Sequence, residues 1–267
     1  MQKKRKMVES DVFGLESERR IIKSGVREVF TPHKPILSVK QFFGRQREVR
    51  ALVGYLNTPG QHALLFGNRG VGKSSLANAT SELILKNLAG GNIIKKRCDS
   101  EDTFVTVVGE ALAKVGIDVN DKIKTNGKSS GGGYIVNAAQ SSSTEKIGSN
   151  ELANSPSWVA KQLISLQAIF VIDEVDAIKN VLDKKKLAEL IKQLSDEGSQ
   201  FKILLVGIAE TSSELTAGHQ SVSRCLREVR LDNMKPSELK EIIIEGAKKI
   251  NLKFELRVIN KIVNLSS

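Results

Sequence analysis

The sequence predicts an α/β fold with a parallel sheet between layers of helices, and three observations carry that expectation. Short apolar runs alternate with helical patterns along the chain, as in strand–helix–strand units. One run, His62–Phe66, leads into Gly67-Asn-Arg-Gly-Val-Gly-Lys-Ser74, a glycine-rich loop that opens a helix. Another, Ile169–Ile172, leads into Asp173-Glu174, two acids at the end of a buried strand.

The elements follow in order. Residues 1–40 read as a basic arm and linker, with ten Lys/Arg against five Asp/Glu. Thr31-Pro-His-Lys-Pro35 is a stiff connector, because each proline pushes its predecessor out of helix. Val49, Leu52, Val53 and Leu56 recur at helical spacing over 46–57, and Asn57-Thr-Pro-Gly60 stops the pattern. Strands are expected at 62–66, 92–97, 168–172 and 201–206, each a short apolar or half-apolar run, with Val229–Leu231 a short fifth. Helices are expected at 73–86, 102–115, 158–166, 184–194, 237–250 and 256–263. Lys184–Lys186 read as a solvated helix face. Residues 118–156 lose the core pattern and carry Gly131-Gly-Gly133 and Gln140-Ser-Ser-Ser-Thr144. They read as a flexible insertion, either a spacer or a partner-binding loop.

Composition excludes several classes. With 267 residues and 40% hydrophobic content the chain can bury a sizeable core. No run approaches the ~18 apolar residues of a membrane-spanning helix, and the N-terminus lacks a secretory apolar stretch. Two cysteines, Cys98 and Cys225, make no disulfide framework and suit a cytoplasmic protein. His33, His62 and His219 are isolated, which argues against zinc. Trp158 and nine Phe are too sparse for a base-stacking platform. The net charge of +11 favours polyanion partners, DNA among them.

The loop and the acid pair carry the chemistry. Glycines let successive backbone N–H groups point at phosphates, and the following helix aims its positive end at the same place. Gly67, Asn68, Arg69, Gly70, Val71, Gly72, Lys73, Ser74 and Ser75 are therefore candidate ATP-binding residues. Lys73 would reach the β- and γ-phosphates, and Ser74 would ligate Mg²⁺. Asp173 would hold the same Mg²⁺, and Glu174 would activate the attacking water. Asp176 could cap or orient the next helix. A water-activating Glu174 suits an ATPase better than a kinase.

These motifs resemble those of AAA+ ATPases, closest to the branch of origin-recognition-type initiators and related ATPases of transposition, secretion and phage defence. Gln41-Phe-Phe-Gly-Arg45 resembles the segment that lines the adenine pocket there, which makes Phe43, Gly44 and Arg45 candidate nucleotide contacts. The resemblance implies an AAA+ core over 41–234. It also implies a helical lid, begun at 235–267 and cut short where the branch usually continues. It implies a sensor after the fourth strand, falling on Glu210 or Thr211. Thr211 is preferred, because a carboxylate would repel a γ-phosphate. It implies an arginine finger reaching a neighbouring subunit's ATP, for which Arg224 is the candidate and Arg227 and Arg230 the alternatives. The resulting expectation is an ATPase that couples ATP or ADP state to homo-oligomerisation and to a DNA or protein partner. The alternative is a nucleotide-gated switch or scaffold with little hydrolysis.

Overall fold

The computed structural model describes residues 23, 25–31, 34–37, 39, 42–86, 91–119, 149–208 and 221–266. Five strands form one sheet: β1 (His62–Gly67), β2 (Asn92–Arg97), β3 (Ala168–Asp173), β4 (Phe201–Gly207) and β5 (Leu226–Leu231). Their order is β2-β3-β4-β1-β5 and every neighbouring pair is parallel. All five carboxyl ends therefore lie along one edge. Besides single helical turns at Val26–Val29 and Val222–Cys225, the described helices are α1 (Gln46–Asn57), α2 (Lys73–Leu85), α3 (Phe104–Leu112), α4 (Ser149–Ala153), α5 (Pro156–Leu163), α6 (Val181–Asp196), α7 (Pro236–Lys249) and α8 (Leu256–Ser266).

The period-two geometry of strands sorts the core into two layers. Ala63, Leu65, Ile169, Val171, Leu204 and Val206 point to the face covered by α1 and α2, where they meet Leu52, Leu56, Leu76 and Ile84. Leu64, Phe170, Ile172, Ile203 and Leu205 point to the other face, covered by α3, α5 and α6. Phe170 and Phe201 meet there with ring centroids 6.1 Å apart in a tilted pair, a favoured aromatic geometry. β4 is buried throughout because both of its faces are covered, which explains its unbroken apolar run. The edge strand β5 alternates instead. Leu226, Val229 and Leu231 are buried while Arg227, Glu228 and Arg230 are exposed, so its first half is masked in the sequence and the strand starts three residues before the expected Val229.

Capping sets the helix starts. Thr103 and Thr106 exchange hydrogen bonds in a capping box at α3, whose end tightens into a 3₁₀ turn over Ala113–Val115. Ser155 caps α5 just before Pro156 at its first position. Asn180 caps α6 by accepting from the Leu182 N–H at 2.9 Å, so that role falls to Asn180 and not to Asp176. Capping at Asn180 starts α6 at Val181, and its rotation buries Lys184 to 5% exposure, correcting the reading of Lys184–Lys186 as a wholly solvated face.

Of the expected insertion, residues 118, 119 and 149–156 are described. Val119 and Ala153 are buried against the α3 layer, and α4 leads directly into the cap of α5. The ordered core thus reaches further into this stretch than its composition suggests. At the other end, α7 and α8 pack on each other through a small cluster of their own, Ile243, Ile259 and Val263 with Leu239 and Phe254. Among the described residues no helix is long and apolar enough to cross a membrane.

Candidate functional site

The sheet's carboxyl edge gathers the two motifs. β1 ends at Gly67 and α2 begins at Lys73, so the loop between them crosses the carboxyl end of β1. Its glycines serve two different purposes. A Cβ on Gly67 would collide with the Leu231 carbonyl of β5, so this glycine is required by the sheet. Gly70 and Gly72 have open space around them but hold φ at +82° and +95°, so they are required by the backbone path of the loop.

Lys73 folds back onto the loop, where Nζ donates to the carbonyls of Gly67 at 3.0 Å and Asn68 at 2.8 Å. Burial pushes its ammonium below the ordinary lysine value, against the opposing pull of Asp176, Asp173 and Glu174. The Ser74 hydroxyl donates to Asp173 Oδ2 at 2.7 Å. Asp173 Oδ1 accepts the Glu174 N–H at 3.0 Å, and Glu174 itself adopts a left-handed backbone at φ 56°. That conformation turns its carboxylate toward β2, where Arg97 Nη2 and Nε grip the two oxygens at 2.7 and 2.9 Å. The hydrogen bonds from Arg97 hold the Glu174 carboxyl below the usual carboxylate range.

Lys73, Ser74, Asp173 and Glu174 line one cavity of about 580 Å³, bounded by the loop, by the turn after β3, by the end of β4 at Val206–Ile208, and by Lys34 and Pro35. The wall formed by Lys34 and Pro35 belongs to a segment that clasps two helices. The Ile36 N–H donates to Ser75 Oγ at 3.0 Å and the Ile36 carbonyl accepts from Asn78 Nδ2 at 3.2 Å, both on α2. Further back, the Phe30 ring fills the space that a side chain on Gly246 of α7 would need.

The other expected residues sit elsewhere. Phe43, Gly44 and Arg45 lie behind the loop and not in the cavity wall. Arg45 is buried at 4% exposure, with Nη2 donating to the carbonyls of Val71 at 3.3 Å and Asp232 at 2.6 Å, and its N–H donating to Glu238 at 2.9 Å. It braces the loop against α7. Gly44 faces Met234 and Glu238, and Phe43 carries the Lys249 ammonium 4.8 Å above its ring. Arg224 is exposed just before β5, next to Gln61, whose Nε2 donates to its carbonyl at 3.1 Å. That is the amino edge of the sheet, one strand length (roughly 20 Å) from the cavity. Thr211 and Glu210 lie outside the described residues.

The family model of novel STAND NTPase 1 matches residues 37–265. The chain belongs to that family. No curated protein sequence matches this STAND NTPase. Among solved structures, it is similar to the Orc1 protein of Aeropyrum pernix in complex with DNA, at 17% identity and TM-score 0.53, over 85% of this chain and 53% of that one. It is similar to the Walker-type ATPase of Pyrococcus abyssi at 20% identity and TM-score 0.53, over 87% and 66%. The ORC2 protein of A. pernix in ADPNP–ADP complexes matches at 16% identity and TM-score 0.54, over 83% and 55%. The STAND NTPase thus spans about half to two thirds of the length of these proteins. The fold shared with these proteins is a parallel sheet flanked by helices. The largest omission of the sequence reading in this STAND NTPase is Arg97. The only signal was that its strand ends at the same edge as Asp173, its partner in the β2–β3 register.

Proposed function

We propose that this STAND NTPase binds ATP with Mg²⁺ in the cavity, hydrolyses it, and couples nucleotide state to self-association and to a partner, with DNA the leading candidate. The observation that carries the proposal is the 2.7 Å bond between Ser74 and Asp173, which joins residues 99 apart in sequence into one pair of oxygen ligands. A hydroxyl and a carboxylate suit Mg²⁺, which takes few protein ligands and fills its octahedron with phosphate oxygens and water. Such an ion would neutralise charge on the phosphoryl oxygens.

The chain's own residues supply the remainder. Backbone N–H groups of Gly67–Ser74 cradle the phosphates, and Lys73 exchanges its two loop carbonyls for phosphate oxygens. Glu174, ionised at neutral pH, orients and deprotonates water once Arg97 releases it. Arg224 is too far from its own cavity to act there, which supports a finger role on a second copy. DNA is favoured by the +11 charge and the basic arm, and the similar A. pernix Orc1 protein is seen with DNA. Residues 235–267 would act as the start of the lid.

One observation favours the slow-switch reading as well. With both oxygens of Glu174 gripped by Arg97, the base is out of use until something opens that pair. Phosphate release from ATP, with and without duplex DNA at low salt, separates the two. Turnover that rises with DNA and vanishes in Glu174→Gln supports the coupled ATPase. ATP binding without turnover in any condition supports the switch, and absence of ATP binding refutes both.

A further inference from the structure

Arg69 has been counted so far only as part of the phosphate loop, and its side chain has no role of its own. It sits at the crest of the phosphate loop, its side chain 89% exposed, with Nη2 3.9 Å from Asp176 Oδ2. Asp176 is on the turn after Glu174 and is only 17% exposed, so the pair crosses the cavity from the loop to the β3 side. Three nearby cations are held more firmly. Lys73 makes two hydrogen bonds to the loop, Arg97 makes two to Glu174, and Arg45 is buried between two carbonyls. The Arg69–Asp176 contact is longer than a hydrogen bond, and an exposed pair of this kind contributes little. Five N–H donors are therefore free to turn elsewhere at little cost.

The need for a cation lies in the same place. Asp173, Glu174 and Asp176 all line the β3 side of the cavity, where the metal ligands and the water-activating acid would meet the last phosphate of a bound nucleotide. A third phosphate adds negative charge against three carboxylates. We propose that Arg69 is a specificity residue for nucleoside triphosphate over diphosphate: its guanidinium leaves Asp176 for the terminal phosphate and returns to Asp176 when that phosphate is gone. The inference rests on reading the cavity as the nucleotide site. The planar fork of arginine suits a terminal phosphate because it can donate to two oxygens at once, which lysine cannot. Because Arg69 and Lys73 line one cavity of one chain, the discrimination needs no second subunit.

The test is titration calorimetry of the full chain with β,γ-methylene ATP and with ADP, each with Mg²⁺, for wild type, Arg69→Ala, Arg69→Lys and Lys73→Ala. Arg69→Ala should weaken the triphosphate analogue at least about tenfold and ADP less than about twofold, and Arg69→Lys should recover part of the loss. An equal loss for both ligands, or no loss for either, would overturn the role of Arg69. It would leave the site reading intact as long as wild type binds and Lys73→Ala does not. Failure of wild type to bind either ligand would overturn the site reading itself, and this inference with it.

Discussion

Lowering the pH from 7 to 5 should destabilise the fold through His62, the first residue of β1. The imidazole is fully buried, and its Nδ1 accepts the Ile203 N–H of β4 at 3.0 Å. Nδ1 is therefore the acceptor, the proton sits on Nε2, and Nε2 has no partner among the described residues. Burial, reinforced by the nearby Lys202 ammonium, lowers the pKa from 6.5 to about 3. The folded protein thus refuses a proton that the unfolded chain accepts. Between those two values the unfolded state binds more protons, so stability rises with pH and is lost as pH falls from 6.5 toward 3. At pH 5 the unfolded histidine sits 1.5 pH units below its pKa, and the loss relative to pH 7 comes to about 2 kcal/mol. The measurement is urea unfolding at pH 7 and pH 5 for wild type and His62→Asn, whose side-chain oxygen can still accept from Ile203. The variant should be less stable at pH 7 but should lose ~2 kcal/mol less on acidification. Parallel pH dependences in the two proteins would refute the argument.

Two further outcomes follow from the site geometry. Gly67→Ala should lower the stability by about 3 kcal/mol, because its Cβ meets the Leu231 carbonyl backbone, while Gly70→Ala, with open space around it, should cost about 1–2 kcal/mol for its left-handed φ. Equal stabilities in chemical denaturation would show that the first glycine serves the loop and not the sheet. Arg97→Ala should raise basal phosphate release while leaving ATP affinity within about twofold, and should move the acid limb of the pH–rate profile upward as the Glu174 carboxyl returns to its ordinary range. A fall in turnover would mean that Arg97 assists the chemistry.

The central strands were legible because both faces of β1, β3 and β4 are covered, which writes their burial directly into apolar runs. β5 was legible only in its second half, since an edge strand tolerates Arg227 and Glu228 on its open side. The glycine-rich loop and acid pair were legible because they are defined by residue types at fixed spacing between a strand and the element that follows it. Side-chain direction was not. Arg45 belongs to a recognisable segment, yet its guanidinium braces Val71 and Asp232 behind the loop. Arg97 and Glu174 are 77 residues apart, and only the β2–β3 pairing brings them to one edge. A non-local partnership of this kind leaves no periodic trace along the chain.

The segment before α1 also sets a limit on motion. Phe30 is held against Gly246 of α7, and Ile36 is hydrogen-bonded to Ser75 and Asn78 of α2. Ile36 follows Phe30 by six positions, and a fully extended chain over six residue steps spans at most ~20 Å. The C-terminal helix pair is therefore on a leash anchored beside the phosphate loop. It can rock or slide within that radius, but a wider excursion must first strip either an aromatic ring from its glycine seat or a peptide group from the helix that follows the glycine-rich loop.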